Sequence, residues 1–434
     1  MNEVVIGIIG LGVTLLFFLT GIELGFGMAL IGFVGFSVII STKAALNLLA
    51  KDVFDVFASY GFTIIPLFVL MGQIAYNGGI AKALYNAAHK IVGHIPGGLA
   101  MATVAGATAF GTVTGSAPAT AATFASVAIP EMDRFHYSRK LSAGIVAVGG
   151  TLGSLIPPSV TLIVYGMITE QSIGKLFLAA TIPGLVIALF FMCIIYGMCM
   201  MDPSLGPRAE RSTWRERWLS LKEVIWVLLV FIIVTGGMSK GFFTPTEAGS
   251  VGTVAVLLLS IGKRAINFQG FVKSVAEAMR TACMVLVLIA GSTIFGHFLA
   301  VTRIPMITAD WTMQLPLSPY LIMLIILIIY EIGGSFIDDL AFMVLATPIF
   351  FPVVVKLGFD PIWFGVILHI FVMMGVVIPP VAINVFVVKN ITKEPFRAIY
   401  SGVYPFLIGM MVCAALLFLF PEICLYLPRK LMLM

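Results

Sequence analysis

Long apolar runs alternate with short polar segments along the whole chain. A helix needs about 20 apolar residues to cross the hydrocarbon core of a bilayer, and runs near this length occur five times in each half. The predicted spans of the first half are residues 4–20, 22–42, 53–76, 143–168 and 182–201. Those of the second half are residues 224–237, 246–262, 282–301, 362–388 and 401–420. This pattern predicts an all-α polytopic membrane protein with about ten spans.

Two further stretches of membrane-grade sequence, residues 98–130 and 319–352, do not fit a spanning helix. Residues 111–130 are mostly small residues and hydroxyls, with prolines at 118 and 130. Irregular backbone at membrane depth is tolerated only where protein or water surrounds it. With about 15 residues per arm, each arm reaches roughly 22 Å, past the middle of a core about 30 Å thick. We therefore predict two re-entrant helical hairpins.

The second half repeats the break signals of the first at a single gapless offset of 222 residues. Gly153 pairs with Gly375, and the triplet Ile-Pro-Pro at 156–158 pairs with that at 378–380. Paired segments interrupted by Gly or Pro are the best sequence indication of a transporter's binding site. The predicted parts are a first repeat, 1–201, with a hairpin at 98–130 and a broken helix at 143–168; a connecting segment, 202–222; and a second repeat, 223–434, with a hairpin at 319–352 and a broken helix at 362–388.

An odd number of spans per repeat gives the two repeats inverted topologies in the membrane. When the connecting segment is placed in the cytoplasm, 17 of the 25 Lys and Arg residues lie on that side and 8 on the other. The positive-inside rule favours this arrangement. Both termini are then outside, the first hairpin enters from the cytoplasm and the second from the outer face. Residues 210–221 predict an amphipathic interfacial helix, with a solvated linker as the alternative.

The composition supports a membrane protein and argues against other classes. The chain of 434 residues is 60% hydrophobic and 10% charged, with a mean hydropathy of +1.10, whereas a soluble domain carries about 25% charged residues. The cytoplasmic loops account for the net charge of +5, so it does not indicate a nucleic-acid partner. No CxxC, HExxH or P-loop pattern occurs, and no GxSxG pattern supports hydrolytic chemistry, which argues against an enzyme.

The tip of the first hairpin carries the first candidate site. Thr114 and Ser116 supply hydroxyl groups there, and Gly115 and Pro118 interrupt the helix, which releases backbone carbonyls. Such oxygen atoms can replace the water shell of a monovalent cation, and an exposed helix N-terminus favours a carboxylate. The alternative is close helix packing through small residues.

The tip of the second hairpin carries two adjacent carboxylates, Asp338 and Asp339. Ionisable residues at membrane depth are costly and are functional by default, so the pair is expected to bind a cation or carry a proton. The alternative is that one of them caps the second arm. Asp338 occupies the same repeat position as Ser116, which predicts two matched sites. Two histidines within spans, His297 and His369, are expected to be buried packing residues, with proton transfer as the alternative.

Four segments, in this order, resemble the large membrane subunit of the tripartite ATP-independent periplasmic (TRAP) transporters. They are residues 114–132 (TGSAPATAATFASVAIPEM), 153–159 (GSLIPPS), 242–252 (FFTPTEAGSVG) and 334–352 (GSFIDDLAFMVLATPIFFP). The resemblance covers essentially the whole chain. It implies an ion-transporter fold of the elevator type, in which the hairpins and their facing breaks move together against a scaffold.

The resemblance also implies a function and partners. It implies sodium-coupled import of organic acids across a bacterial inner membrane, with a periplasmic binding protein and a small membrane (Q) subunit of about four helices. Sialic acid is favoured over a C4-dicarboxylate. Sodium is expected near Ser116 and Gly153, and again near Gly334, Asp338 and Gly375. The substrate is expected between the tips, at Thr114, Gly115, Ser154, Pro157, Ser335 and Asn384.

Two alternatives remain open at the level of sequence. The first is a stand-alone carrier of organic anions, coupled to sodium or protons, that needs no binding protein. The second is an intramembrane enzyme or a scaffold protein, but the chain offers neither a nucleophile–base pair nor a metal cluster. Transport by this chain alone in liposomes would favour the first, and hydrolysis or a tightly bound metal in pure protein would favour the second.

Overall fold

The structure is a computed structural model that describes residues 2–18 and 20–432. All regular structure in these residues is helical, as the apolar pattern predicts. Residue 19 of the predicted first span, and residues 1, 433 and 434 of the predicted repeats, lie outside the described residues.

The helices of the two halves follow each other in the same order. Those of the first half are α1 (Glu3–Phe18), α2 (Leu24–Ile39), α3 (Thr42–Ala58), α4 (Ile64–Asn77), α5 (Ile80–Val92), α6 (Gly98–Thr114), α7 (Ala117–Arg134), α8 (Arg139–Leu155), α9 (Val160–Ile168) and α10 (Ile173–Met201). Those of the second half are α11 (Trp214–Ser239), α12 (Pro245–Gly262), α13 (Phe268–Thr302), α14 (Ile304–Gln314), α15 (Pro319–Phe336), α16 (Asp339–Lys356), α17 (Pro361–Gly375), α18 (Ile383–Thr392), α19 (Phe396–Leu419) and α20 (Glu422–Leu431).

The helix starts preserve the offset found in the sequence. The second hairpin arms, α7 and α16, begin 222 residues apart and each contain 18 residues. The first parts of the two broken helices, α8 and α17, also begin 222 residues apart. The peptide bonds Pro157-Pro158 and Pro379-Pro380 are both cis. In the described residues the two halves therefore share their hairpins and the breaks that face them, whereas α13 is continuous where α3 and α4 are separate.

In the part of the chain that the structure describes, eight helices are long and apolar enough to cross a membrane, or nine when α8 and α9, bent by 42° at their junction, count as one span. The arms of the second hairpin, α15 and α16, are among the eight. Helices α1 and α2 have only 16 residues each, and α17 and α18 are separated by an irregular segment. These short elements explain why the length criterion gives fewer spans than the ten predicted.

The helices pack as two groups. One group, here called the scaffold, consists of α1–α4 and α11–α13, in which α13 packs against α2 and α4, and α12 against α4. The other, here called the hairpin unit, consists of α6–α10 and α15–α19, in which α6 and α7 pack against α8, α15 against α17, and α19 against α8. The short helices α5 and α14 pack against hairpin arms, α5 against α6 and α14 against α16.

Several boundaries differ from the predicted ones, among them that of α13, which begins at Phe268 and not near 282, and the following two. The span predicted at 53–76 is divided at Ser59, where α3 ends and a 3-10 turn, Tyr60–Thr63, leads into α4. The separate helix predicted at 210–221 is wrong. Helix α11 begins at Trp214 and continues to Ser239 as one helix. A capping box sets this start: Thr213 accepts from the Glu216 N–H at 3.3 Å, and Glu216 accepts from the Thr213 N–H at 2.9 Å.

The connecting segment that precedes α11 is tied to the base of the first hairpin. Three backbone hydrogen bonds of 2.9–3.0 Å make this attachment: Gly97 N–H to Gly206 O, Ser138 N–H to Leu205 O, and Ala209 N–H to Gly93 O. The segment is therefore a fixed part of the hairpin base up to Ala209, and only residues 210–213 separate that anchor from α11.

Candidate functional site

A cavity of about 470 Å³ lies where the two hairpin tips meet the scaffold. The tips, the end of α8 and the start of α9 form its walls on the side of the hairpin unit, and α4 and α13 form the opposite wall. The lining residues are Val69, Gly72, Gln73, Tyr76, Phe110, Thr114, Gly115, Ser116, Ala117, Pro118, Ala119, Ala122, Thr123, Ser154, Val160, Thr161, Glu277, Thr281, Met284, Val285, Asp338, Asp339 and Leu340.

The first tip is built by a left-handed residue followed by a helix cap. Gly115 ends α6 with φ of +63°, a conformation that favours glycine, and a Cβ on it would lie 2.6 Å from the carbonyl oxygen of Pro158. Ser116 then caps α7 by accepting from the Ala119 N–H at 3.5 Å. The Gly115 carbonyl accepts from the Val160 N–H at 3.4 Å. The tip is therefore anchored to the start of α9, directly after the first break, residues 156–159.

The second tip also begins its second arm with a capping residue, a carboxylate in place of the hydroxyl, but the preceding residue, Ile337, is extended. Asp338 caps α16, and its Oδ1 accepts from the N–H groups of Leu340 at 3.1 Å and Ala341 at 3.4 Å. The Ser335 carbonyl accepts from the Val381 N–H at 3.1 Å, which anchors the tip to the second break, residues 376–382. Capping is thus one role of Asp338. It occupies one oxygen and leaves the charge of the group available to a cation.

Glycines allow each tip to lie against the end of its facing helix. A Cβ on Gly153 would lie 3.0 Å from the carbonyl oxygen of Ser116, besides overlapping Thr120. A Cβ on Gly375 would overlap the backbone of Gly334 and lie 2.6 Å from the Ser335 nitrogen. The predicted sodium residues Gly153, Gly334 and Gly375 therefore lie at the contacts between tips and breaks, next to the cavity but outside its lining.

The predicted substrate residues divide into two sets. Thr114, Gly115 and Ser154 line the cavity, whereas Pro157, Ser335 and Asn384 do not. Asn384 is fully buried, and its Nδ2 donates to the Ala147 carbonyl at 3.0 Å. It therefore joins the second half to α8, and its Oδ1 has no partner among the described residues.

The opposite wall contains polar residues that sequence reasoning missed. Asn77 joins α4 to α13 by donating to Ser274 Oγ at 2.9 Å and to Glu277 Oε2 at 3.4 Å, and Gln73 and Glu277 both line the cavity. The sequence analysis placed the nearest predicted span at 282–301, so Glu277 fell outside it. An acidic residue close before an apolar run was the one available signal.

The charged side chains that line the cavity are of one sign. Three carboxylates line it, those of Glu277, Asp338 and Asp339, and no Lys, Arg or His occurs among its described lining residues. Positive contributions at the site come from the N-terminal ends of α7 and α16 at the tips and of α9, and from Lys273, whose Nζ lies 3.7 Å from Glu277 Oε1. Hydroxyl, carbonyl and carboxylate oxygens of this kind suit hard cations such as sodium.

The family model described as "Tripartite ATP-independent periplasmic transporter, DctM component" matches residues 11–423. A C4-dicarboxylate TRAP transporter large permease protein DctM of Pseudomonas aeruginosa is 35% identical, over 91% of this chain and 92% of its own length. A sialic acid TRAP transporter large permease protein SiaM of Vibrio cholerae is 32% identical, over 94% and 95%. A 2,3-diketo-L-gulonate TRAP large permease protein of Escherichia coli is 30% identical, over 89% and 90%.

Solved structures of other transporters share the fold. The YdaH transporter of Alcanivorax borkumensis superposes with a TM-score of 0.62 at 12% identity, covering 86% of this chain and 88% of its own. The MtrF protein of Neisseria gonorrhoeae superposes with a TM-score of 0.56 at 16% identity, covering 88% and 83%. At these identities the likeness concerns the arrangement of helices alone.

Proposed function

The chain belongs to the DctM component family of tripartite ATP-independent periplasmic transporters, and we propose from this premise that it is the translocation subunit of a sodium-coupled importer of organic acids. The large permease proteins of the family are not enzymes but subunits of transporters. The observation that carries the proposal is the single cavity into which both hairpin tips bring oxygen atoms and helix N-termini.

The charge of the cavity supports cation coupling. An organic acid that enters it meets Asp338, Asp339 and Glu277; Glu277 has Lys273 at 3.7 Å, and no basic side chain occurs among the described lining residues. Bringing like charges into a space partly shielded from water is unfavourable unless a cation compensates. Sodium ions at the two tips, near Ser116 with Gly153 and near Asp338 with Gly334 and Gly375, would supply that compensation. The helix N-termini at the tips then hold the substrate carboxylate.

The substrate is proposed only as an organic acid, with sialic acid and a C4-dicarboxylate as the two compounds to test first. Relatives of similar identity are named for C4-dicarboxylates, sialic acid, isethionate, 2,3-diketo-L-gulonate and ectoine. The sequence analysis favours sialic acid. Against it, a relative named for a C4-dicarboxylate has the higher identity, 35% against 32%.

We further propose that the hairpin unit moves as one body against the scaffold, as in an elevator. Each tip is bonded to its own break, and the two halves of the unit are joined through Tyr165 and Asn384, which donate to the carbonyls of Pro361 and Ala147. The cavity lies between this unit and the scaffold. Movement of the unit would carry substrate and ions across together.

The proposed partners are a small Q subunit in the bacterial inner membrane and a periplasmic protein that delivers the substrate. One relative, an isethionate TRAP permease of Oleidesulfovibrio alaskensis, is named DctMQ, and this chain covers 63% of its length. In that protein a segment beyond the region shared with this chain is available for the Q component.

The test is uptake into proteoliposomes under an inward sodium gradient. The chain is reconstituted with and without a Q subunit and a binding protein, and labelled sialic acid and a labelled C4-dicarboxylate are supplied separately. Uptake that requires all three components and sodium would support the proposal and identify the substrate class. Replacing sodium by choline should abolish uptake and substrate binding.

Two outcomes would contradict the proposal. Sodium-dependent uptake by this chain alone would establish the stand-alone carrier of organic anions. Uptake that persists in choline, and that a proton gradient drives, would assign coupling to protons at the Asp338–Asp339 pair.

A further inference from the structure

A histidine of the second half contacts the cavity wall of the first half. His369 lies in α17 and is fully buried, and its Nε2 lies 3.3 Å from Oγ of Ser154 in α8. Ser154 is 1% exposed and lines the cavity. The sequence predicts His369 only as a packing residue, but this contact places it directly behind a residue of the proposed site.

The hydrogen-bond directions at Ser154 follow from its one proton. The Ser154 hydroxyl donates to the Thr151 carbonyl at 3.0 Å, and a hydroxyl has a single proton to donate. His369 must then be the donor in the second contact, with its proton on Nε2. Its Nδ1 has no partner among the described residues, which suits a nitrogen that carries a lone pair better than one that carries a buried, unsatisfied proton. The tautomer is thus assigned from the contacts.

These two bonds leave Ser154 with one unused lone pair. Its proton is committed to Thr151 and one acceptor position to His369, and a hydroxyl oxygen accepts two bonds. Towards the cavity, Ser154 therefore offers an acceptor and no donor. An acceptor cannot bond to the ionised carboxylate of an organic acid, which accepts only. It can act as an oxygen ligand for a cation.

We propose that His369 is a positioning residue that holds Ser154 as an oxygen ligand for the coupling cation and not for the substrate carboxylate. The proposal rests on the proposed function and changes the role that the sequence analysis gives to Ser154. Among the other oxygen-bearing residues of the cavity wall are Thr114, Ser116 and the carboxylate of Asp338 on the two hairpin tips. Because His369 comes from the second half and Ser154 from the first, both halves contribute to this ligand.

The first test measures the tautomer directly and does not depend on transport. The protein contains five histidines, so the full chain labelled with 15N-histidine gives few signals, and the His369→Gln variant assigns the one from His369. The expected signal is that of a neutral ring protonated at Nε2. A ring protonated at Nδ1 would overturn the proposal, because Ser154 would then have to donate to His369.

The second test separates cation affinity from substrate affinity in the three-component proteoliposome assay. The His369→Phe variant removes the donor and frees Ser154 to rotate. It should raise the sodium concentration for half-maximal uptake roughly fivefold to tenfold, the effect of one lost hydrogen bond. The substrate KM at saturating sodium should change less than twofold. His369→Gln, which retains an N–H donor, should restore most of the sodium affinity.

Two further variants serve as matched comparisons. Ser154→Ala should give the same sodium shift, and the double variant with His369→Phe should show no additional loss, because the two residues act through one ligand. The control is His89→Gln, which alters a half-buried histidine that packs against Phe135, away from the cavity lining. Its sodium titration should match that of the parent.

The outcomes distinguish this inference from the proposed function. If the parent protein fails to transport organic acids with sodium, the proposed function is wrong, while the tautomer measurement still tests the geometry. If the parent transports but His369→Phe raises the substrate KM and leaves sodium affinity unchanged, Ser154 is a substrate contact and the inference is overturned. Unchanged values of both quantities would reduce His369 to a packing residue.

Discussion

At the scale of single residues, one repeat position carries two different polar groups in the same structural role. Ser116 and Asp338 both cap the second arm of a hairpin, and both line the cavity. The sequence predicts the pairing because both lie at one offset. It leaves open whether Asp338 acts as a cap or as a cation ligand, and the cavity geometry is compatible with both roles at once.

Asp338→Asn and Asp338→Ala should separate those two roles. Asparagine is as good an N-cap as aspartate, whereas alanine costs about 1 kcal/mol of stability. We expect Asp338→Asn to keep the melting temperature of the parent and to raise the sodium concentration for half-maximal uptake by at least about tenfold, since ligand charge sets cation affinity. Thermal unfolding and sodium titration of uptake measure the two effects. A sodium titration of Asp338→Asn that overlays the parent's would leave the carboxylate as a cap alone.

Gly375→Ala should damage the second tip through packing. The added methyl would meet the backbone of Gly334 and Ser335, which cannot give way as a flexible side chain can. Overpacking of this kind costs about 1–3 kcal/mol. The control is Gly296→Ala in α13, where nothing lies within 4 Å of the new Cβ and helix propensity favours alanine by up to about 1 kcal/mol. Thermal unfolding should therefore shift down for the first variant and not for the second.

At the scale of elements, the positions of the helix breaks were easier to predict than the continuity of the helices and their packing partners. Proline, glycine and capping residues act within a few positions of the chain, so the hairpin tips and the breaks near 157 and 379 follow from sequence. The division at Ser59 was missed because apolar residues continue on both sides of it. The start of α11 was missed although its capping box, Thr213 with Glu216, is a local signal. The partner of each helix depends on tertiary packing, which no local pattern reports.

The junction between α11 and the hairpin base should respond to pH. Arg217 lies 3.3 Å from Nδ1 of His94, and partial burial together with the charges of Arg217 and Arg211 lowers the pKa of His94 below its usual 6.5. A histidine with a lowered folded-state pKa stabilises the fold above its unfolded-state pKa, and this contribution is lost as pH falls. The melting temperature should therefore decrease on acidification below about pH 6.5. His94→Gln should flatten that part of the profile, and an unchanged profile would contradict this role.

At the scale of the whole molecule, the sequence predicts two similar halves but not the way in which they share one site. The offset places Ser116 and Asp338 at equivalent positions, and only the fold brings both into one cavity with Glu277 of the scaffold. The contact of His369 with Ser154 likewise crosses between the halves, over 215 positions of sequence. No periodicity within either half indicates these contacts.

A reversible cross-link should test the movement of the hairpin unit. An ideal Cβ at Gly72 of the scaffold lies 3.0 Å from the Thr114 Cα of the first tip, so cysteines at these two positions are within disulfide reach. Oxidation of Gly72→Cys/Thr114→Cys, with Cys193 and Cys283 replaced, should abolish uptake, and reduction should restore the rate of the reduced variant. The control pair Gly249→Cys/Leu67→Cys lies within the scaffold, with 3.2 Å between the ideal Cβ and Leu67 Cβ. Uptake that survives oxidation of the first pair would exclude the elevator.

The attachment of the connecting segment sets a limit on how far the proposed movement can go. Residues up to Ala209 are bonded to the hairpin base, and α11 of the scaffold begins at Trp214. If the base travels with its hairpin, the four intervening residues are a tether whose slack is at most about 14 Å when fully extended. The distance that the hairpin unit can travel would then be set by the length of this loop. A chain lengthened there would gain reach without any change to its binding site.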